Sequence, residues 1–374
     1  MLVDFLSYFP NFLQNMILPK INKPLNPRFS CGPTSKPYGW SLKNINEKYL
    51  GRYHRSNDVK EFIREQINRI KKILNIPKSF KIFLMPGSCT GAVEAVIWNF
   101  FGKREVTTLI YDYWGLEWYN DLKKLDFKVD ARISLDGTIP KVDNIPLEND
   151  LFFVWTGTST GISFNNLEFL NPKHQGLVVS DITSAAFIYE IPWEKIDVSV
   201  FSWQKALGSE SQHGIVVMSP KAVQRLESLK IRPIPKIFDF MKNNFVINTP
   251  SLLTISDLAQ CLDFFENIGG LKGSLKKCIE NKNVFDKWEQ ENMYIKYFVR
   301  EKKYQAISPV YLIFKKEIPY LKIFNFLTFN KIAFDIQNYR KAKPGIRVWT
   351  GPTIKKNDLI ALINWLDWCF NKFE

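Results

Sequence analysis

Lys205 stands in the stretch Phe201-Ser202-Trp203-Gln204-Lys205-Ala206-Leu207-Gly208. The run 197–201 before it is apolar and β-prone, and small residues follow it. This predicts an amine just past the carboxyl end of a strand, where open α/β sheets gather ligands. No acidic residue adjoins it until Glu210. A lysine in a partly dry pocket loses some of its affinity for a proton and becomes a nucleophile toward aldehydes, the chemistry of a Schiff-base lysine. A lysine after a strand is otherwise an ordinary surface cation, so the neighbours must decide. Upstream, the apolar run 176–180 ends in Asp181, followed by Ile182-Thr183-Ser184-Ala185-Ala186. A carboxylate at the end of a buried strand is costly unless paired. A protonated pyridine nitrogen is one suitable partner; capping the following turn is the other use of the same residue.

Several other stretches offer binding groups. His54 and Arg55 precede an amphipathic helix expected over 59–74, with Phe62, Ile63, Ile67, Ile70 and Leu74 on one face. An arginine at a helix entrance can fork onto a carboxylate or phosphate. A strand at 81–85, the tight turn Pro86-Gly87-Ser88-Cys89-Thr90-Gly91 and a helix at 92–101 would set bare amides and the Thr90 hydroxyl around an anion. Trp114 follows a strand at 106–111 and can stack on a flat ring or fill core. A buried strand at 151–155 runs into Thr156-Gly157-Thr158-Ser159-Thr160-Gly161. Arg340, Lys341, Lys343 and Arg347 crowd one loop leading into a strand, which water tolerates and an anionic ligand exploits. His213 is open to a role as base, but nothing near it in sequence orients it, and a structural histidine is the simpler account.

Asp181-Ile182-Thr183-Ser184-Ala185-Ala186, then Ser202-Trp203-Gln204-Lys205, then Asn248-Thr249-Pro250-Ser251, in that order and spacing, resemble the phosphoserine aminotransferases. These are class V, fold-type I pyridoxal-phosphate enzymes. The resemblance runs from about residue 23 to the C-terminus, and Asn26-Pro27-Arg28-Phe29-Ser30 matches a bacterial branch. It implies an α/β fold with a large domain, built on a mostly parallel seven-stranded sheet, and a smaller C-terminal α+β domain. It implies pyridoxal phosphate as cofactor and no metal, with Lys205 on the aldehyde and Asp181 on the ring nitrogen. Cys89, Thr90 and Gln204 fall at further cofactor contacts, Trp114 at the ring-stacking position and Thr158 beside the phenolic oxygen. Asn248 and Thr249 would hold the cofactor phosphate of a partner subunit, which requires a homodimer with shared sites. His54, Arg55, Arg340, Lys341 and Arg347 would take the anionic groups of the substrates, Arg347 the carboxylate. The implied reaction exchanges O-phospho-L-serine and 2-oxoglutarate for 3-phosphohydroxypyruvate and glutamate. Three positions depart from the family pattern: Cys89 where Asp or Gly is common, Thr156 in place of Asn, and Arg340 in place of His. The segment 231–246 also looks shortened.

Length and composition agree. A chain of 374 residues exceeds what one core usually serves, so two domains are expected, 24–262 and 263–374, with residues 1–23 an extension outside the resemblance. Residues 1–18 are apolar but contain Asp4 and Pro10 and lack a basic leader or small-residue cleavage site, so they read as a packed or frayed extension. Five scattered cysteines in no CxxC spacing point to a reducing, cytoplasmic setting. No apolar run suits a membrane span. The net charge of +14 is spread along the chain, which suits a solvated basic surface and argues against a nucleic-acid partner. Helices are expected over 221–229, over 252–291 with a break at Gly269-Gly270, and over 357–373; strands are expected at 215–218, 310–314, 332–336 and 346–350. The rival readings are another class V aminotransferase, a desulfurase, disfavoured because Cys369 lies inside an apolar helix, and a non-enzymatic basic binding protein.

Overall fold

The computed structural model describes residues 18–228, 232–241, 246–340 and 342–373. Seven strands make the main sheet: β1 (Lys81–Pro86), β2 (Val106–Ile110), β3 (Val129–Ile133), β4 (Asp150–Val154), β7 (Val178–Asp181), β8 (Val198–Ser202) and β9 (His213–Met218). A two-stranded hairpin, β5 (Thr156–Gly157) and β6 (Ile162–Ser163), follows β4. The sheet order is β1-β9-β8-β7-β4-β2-β3, and only β9 runs antiparallel to its neighbours. The carboxyl ends of β2, β4, β7 and β8 therefore open on one edge. In register, Val154 lies beside Asp181 and Asp181 beside Val200, so the expected acid and the loop carrying the expected amine are neighbours by construction.

Apart from the edge strand β3, in which charged and apolar residues alternate, the strands are mainly apolar because both sheet faces are covered, as parallel sheets require. Alternate residues feed two cores. Phe83, Phe152, Val179, Val200 and Val216 pack beneath the helices Ser88–Phe100, Tyr113–Lys124 and Pro220–Ser228. Leu84, Phe153, Phe201, Ile215 and Val217 face the helices Asn57–Ile73 and Leu252–Asn267. In Asn57–Ile73 the residues Phe62, Ile63, Ile67 and Ile70 form the buried stripe, as their spacing dictates.

The C-terminal part carries a second, antiparallel sheet of β10 (Ile295–Tyr297), β11 (Val310–Phe314) and β12 (Gly345–Val348). The helices Gly270–Glu291, Tyr320–Phe329 and Lys356–Phe373 pack with it; Trp288 stacks on Phe370, and Phe326 meets Trp365 and Phe373. Gly269 and Gly270 have φ of 96° and 62°, a left-handed pair that ends one helix and starts the next where the sequence suggested. The N-terminal strap returns across this layer: the amide of Leu25 donates to Asp358 Oδ1 at 2.7 Å, and that of Trp349 to Phe29 O at 3.0 Å.

Two expectations change. The helix expected from residue 92 begins at Ser88, because Gly87, at φ 84°, turns the chain directly into it. The expected strand 332–336 is absent: Phe334 and Gln337 make only isolated bridges, to Arg28 and Ile346, and Asp335 at φ 58° interrupts the extended run. The strands β3, with charged residues alternating, and β10, three residues long, had no clear signal in the sequence.

One buried ion pair ties the sheet to its helical cover. Arg225 forks onto Asp150 at 3.0 and 3.1 Å, and Asp150, which is fully buried, also accepts from the amide of Leu177 at 2.7 Å. Removing the cation leaves an uncompensated buried carboxylate. Arg225→Ala is expected to cost about 3 kcal/mol of stability, read as a lower urea midpoint with an unchanged slope.

Candidate active site

β8 ends at Ser202, and the next three residues turn Lys205 over the sheet edge. The turn is held from outside: the amide of Thr34 donates to Gln204 O at 2.9 Å, the Thr34 hydroxyl donates to Lys205 O, and the amide of Gly208 closes back on Lys205 O at 3.0 Å. Lys205 Nζ donates to Cys31 O. Residue 32 must be glycine for the amine to lie there, since its φ is 147° and any Cβ would collide with Lys205 Nζ. Burial pushes the Lys205 pKa down to about 8, with Arg347 adding to the shift and Asp181 opposing it.

Lys205 opens on a cavity of about 210 Å³, whose walls include Cys89, Thr90, Trp114, Thr158, Asp181 and Gln204. Asp181, only 4% exposed, ends β7; its Oδ2 accepts from Trp118 Nε1 at 3.2 Å and its Oδ1 from the amide of Thr183 at 2.9 Å. Cys89 Sγ accepts from the Thr183 hydroxyl at 2.8 Å. Burial and the nearby Asp181 charge push the Cys89 thiol well above its usual pKa, so it stays protonated. Its side chain thus faces the acid end of the cavity. At the start of helix Ser88–Phe100 the amides of Gly87 and Ser88 donate to Gln212 O at 3.0 and 3.1 Å. Those of Cys89 and Thr90, in the first turn, have no partner within the helix and suit an anion.

Trp114 belongs to helix Tyr113–Lys124, whose cap is Asp112, with Oδ1 accepting from the amide of Gly115 at 2.8 Å. Burial raises the Asp112 pKa to about 6. The Trp114 ring lies 5.6 Å from Trp118 and 5.9 Å from Tyr339. Thr158 shares a hydrogen bond with Ser184, and its carbonyl accepts from Arg347 Nη1 at 3.2 Å. Two polar atoms here are buried without a partner, Gln204 Oε1 and Arg347 Nε. Both are available to a polar ligand. An amine, a carboxylate, an aromatic wall and a helix N-terminus around one small cavity fit pyridoxal phosphate.

Other expected site residues lie apart from this cavity. Asn248, at φ 66°, and Thr249 are exposed, just beyond Ile247, whose amide donates to Leu84 O at 2.9 Å. His54 and Arg55 sit at the entrance to helix Asn57–Ile73, with Arg55 exposed. Arg340 is exposed, 3.4 Å from Glu117. Lys341 lies outside the described residues. His213 is structural: it is buried, its Nε2 accepts from the amide of Ser251 at 3.2 Å, and burial lowers its pKa to about 4. Sequence reasoning missed Trp118, Thr183, Ser184 and Ser211 as parts of the wall. Trp118 had a signal, since it lies one helical turn after Trp114 on the same face.

No family model matches the chain. It is similar to the phosphoserine aminotransferase of Methanosarcina mazei, at 36% identity over 361 residues, covering 93% of this chain and 98% of that one. The phosphoserine aminotransferase of Methanosarcina barkeri is also 36% identical, over 363 residues with the same coverage. Among solved structures, the fold is similar to a phosphoserine aminotransferase from Cytophaga hutchinsonii: TM-score 0.79, 18% identity, 92% of this chain and 99% of that one. Among the described residues, no helix is long and apolar enough to cross a membrane.

A depressed Lys205 pKa has a kinetic signature. Covalent capture of added pyridoxal phosphate, followed by visible absorbance, is expected to accelerate with pH through a midpoint near 8. A midpoint near the ordinary lysine value, about 10.4, would show that the amine is not desolvated.

Proposed function

The chain belongs to the phosphoserine aminotransferase family, and from that premise we propose that Lys205, Asp181 and Arg347 carry the transamination of O-phospho-L-serine with 2-oxoglutarate. The protein is a pyridoxal-phosphate-dependent aminotransferase of serine biosynthesis, interconverting phosphoserine and 3-phosphohydroxypyruvate. One observation supports these roles above the rest: a desolvated amine and a buried carboxylate line one small cavity while each is bonded to other partners.

When bound, pyridoxal phosphate supplies a protonated ring that withdraws electrons from the substrate's α-carbon. Asp181, its carboxylate oriented by Trp118 Nε1 and the amide of Thr183, would face the ring nitrogen and favour its protonated form. Trp114, in the cavity wall, would cover one face of the ring and exclude water from it. The amides of Cys89 and Thr90, with Gln204, would hold the phosphate, and Thr158 with Ser184, which share a hydrogen bond in the cavity wall, would border the phenolic oxygen. Lys205 Nζ, with a pKa of about 8, is neutral often enough to attack an aldehyde. With the amino acid bound, Lys205 Nζ would accept the substrate's α-proton and return it. Arg347 takes the α-carboxylate, and Arg340 with Lys341 the distal phosphate or carboxylate.

His54, Arg55, Asn248 and Thr249 lie outside their own chain's cavity and serve the site of a second copy, so the working unit is a homodimer. The cofactor domain is residues 24–262 and the small domain 263–374, with the break at Gly269-Gly270 close to the boundary. The enzyme acts in the cytoplasm.

Lys205→Ala is expected to lose the visible band of bound cofactor, and Asp181→Asn to keep the cofactor but lose about 100-fold or more in kcat. A binding module without enzymatic function would show neither. In a half-reaction assay phosphoserine should outrun serine by at least about 100-fold, because the cationic clamp is left unpaired by the unphosphorylated amino acid. Equal rates would sink the clamp and favour another class V aminotransferase.

A further inference from the structure

Tyr339 touches two groups that transamination needs, and the functional reading leaves it without a role. It is half-buried in the loop that leads to β12. The Arg340 guanidinium lies 5.0 Å from its ring centroid and that of Arg347 lies 5.3 Å away. On the side of helix Tyr113–Lys124 the same ring meets Trp114 at 5.9 Å and Tyr113 at 6.3 Å.

Two guanidiniums beside one ring repel each other, and each is attracted to the negative face of the aromatic system. The attraction matters most for Arg347. Its Nε is buried without a partner and its Nη1 reaches one carbonyl, Thr158 O, at 3.2 Å, so the Tyr339 ring is a main determinant of where its fork points. Arg340 is parked against Glu117 at 3.4 Å, with the side chains 59% and 51% exposed. Such a pair contributes at most about 1 kcal/mol and yields readily to a doubly charged ligand.

We propose that Tyr339 is a positioning residue of the anion clamp: its ring sets the separation of Arg340 and Arg347, so that together they receive a substrate carrying an anionic group at each end, and it braces Trp114 from the side. The identity of the substrates rests on the family reading; the role of the ring does not. The hydroxyl takes no part, so phenylalanine should replace tyrosine and an aliphatic residue should not.

The test compares Tyr339→Phe with Tyr339→Leu. In the holoenzyme, Tyr339→Leu is expected to raise KM for both phosphoserine and 2-oxoglutarate about tenfold, with kcat within about threefold, while Tyr339→Phe stays within about twofold of the parent in KM. A readout independent of turnover is calorimetric binding of 2-oxoglutarate to the pyridoxal form of the holoenzyme, with which a keto acid does not react, where Kd should rise about tenfold in Tyr339→Leu and not in Tyr339→Phe. Should Tyr339→Leu melt early, Tyr339→Met carries the same comparison. Unchanged KM and Kd in the aliphatic variants would overturn the proposal, as would a Tyr339→Phe variant as weak as Tyr339→Leu. A parent enzyme inactive on phosphoserine would overturn the family reading instead, and the binding comparison would still decide the role of Tyr339.

Discussion

An acid and an amine buried in one cavity attract each other, and a site that let them pair would neutralise both. This fold keeps them apart. Asp181 is the last residue of β7, and its carboxylate is occupied by Trp118 and the amide of Thr183. Lys205 lies three residues past the end of β8, bent over the sheet edge, with its amine on Cys31 O. The parallel register that sets Asp181 beside Val200 makes them neighbours, and the partners given to each prevent their collapse into an ion pair. The low pKa of the amine follows, since burial outweighs the neighbouring charges that favour its protonated form.

The partners of Lys205 come from the other end of the chain. The strap that supplies Cys31 O and Thr34 is anchored, a few residues earlier, on the C-terminal layer through Leu25 to Asp358 and Phe29 to Trp349. Trp349 is two residues beyond Arg347. One continuous stretch of backbone therefore fixes the amine on the large sheet and the start of the C-terminal segment that carries the clamp. Nucleophile and clamp are held in one frame even though 142 positions (205 to 347) separate them in sequence. A movement of the C-terminal layer would be felt at Lys205 through this strap.

Much of this was legible in the sequence where a signal is local. The apolar runs ending in Asp181 and preceding Lys205 gave the two strand ends, and the spaced apolar residues of Asn57–Ile73 gave a helix with the observed buried stripe. What sequence could not give depends on neighbours distant in the chain. The segment 332–336 has strand-like composition, but its backbone partners are Pro27 and Arg347, one on each side, and they hold it without a ladder. Tyr339 reads as a loop aromatic until Trp114 is seen beside it, more than 200 positions away in sequence. The direction of the Cys89 side chain was equally hidden: the turn placed its backbone at the anion cup, while Thr183 draws the sulfur toward the acid.

That direction explains why the Cys89 departure is compatible with the chemistry. A carboxylate at position 89 would set a second negative charge beside Asp181. A thiol occupies the same wall without that conflict. Its pKa is pushed well up by burial and by Asp181 itself, so the sulfur stays neutral and leaves the acid's charge undivided. Thr183 steadies both, donating its amide to Asp181 and its hydroxyl to Cys89, so the substituted side chain remains tied to the carboxylate it adjoins. The amide of residue 89, which the anion cup uses, is indifferent to the side chain it carries.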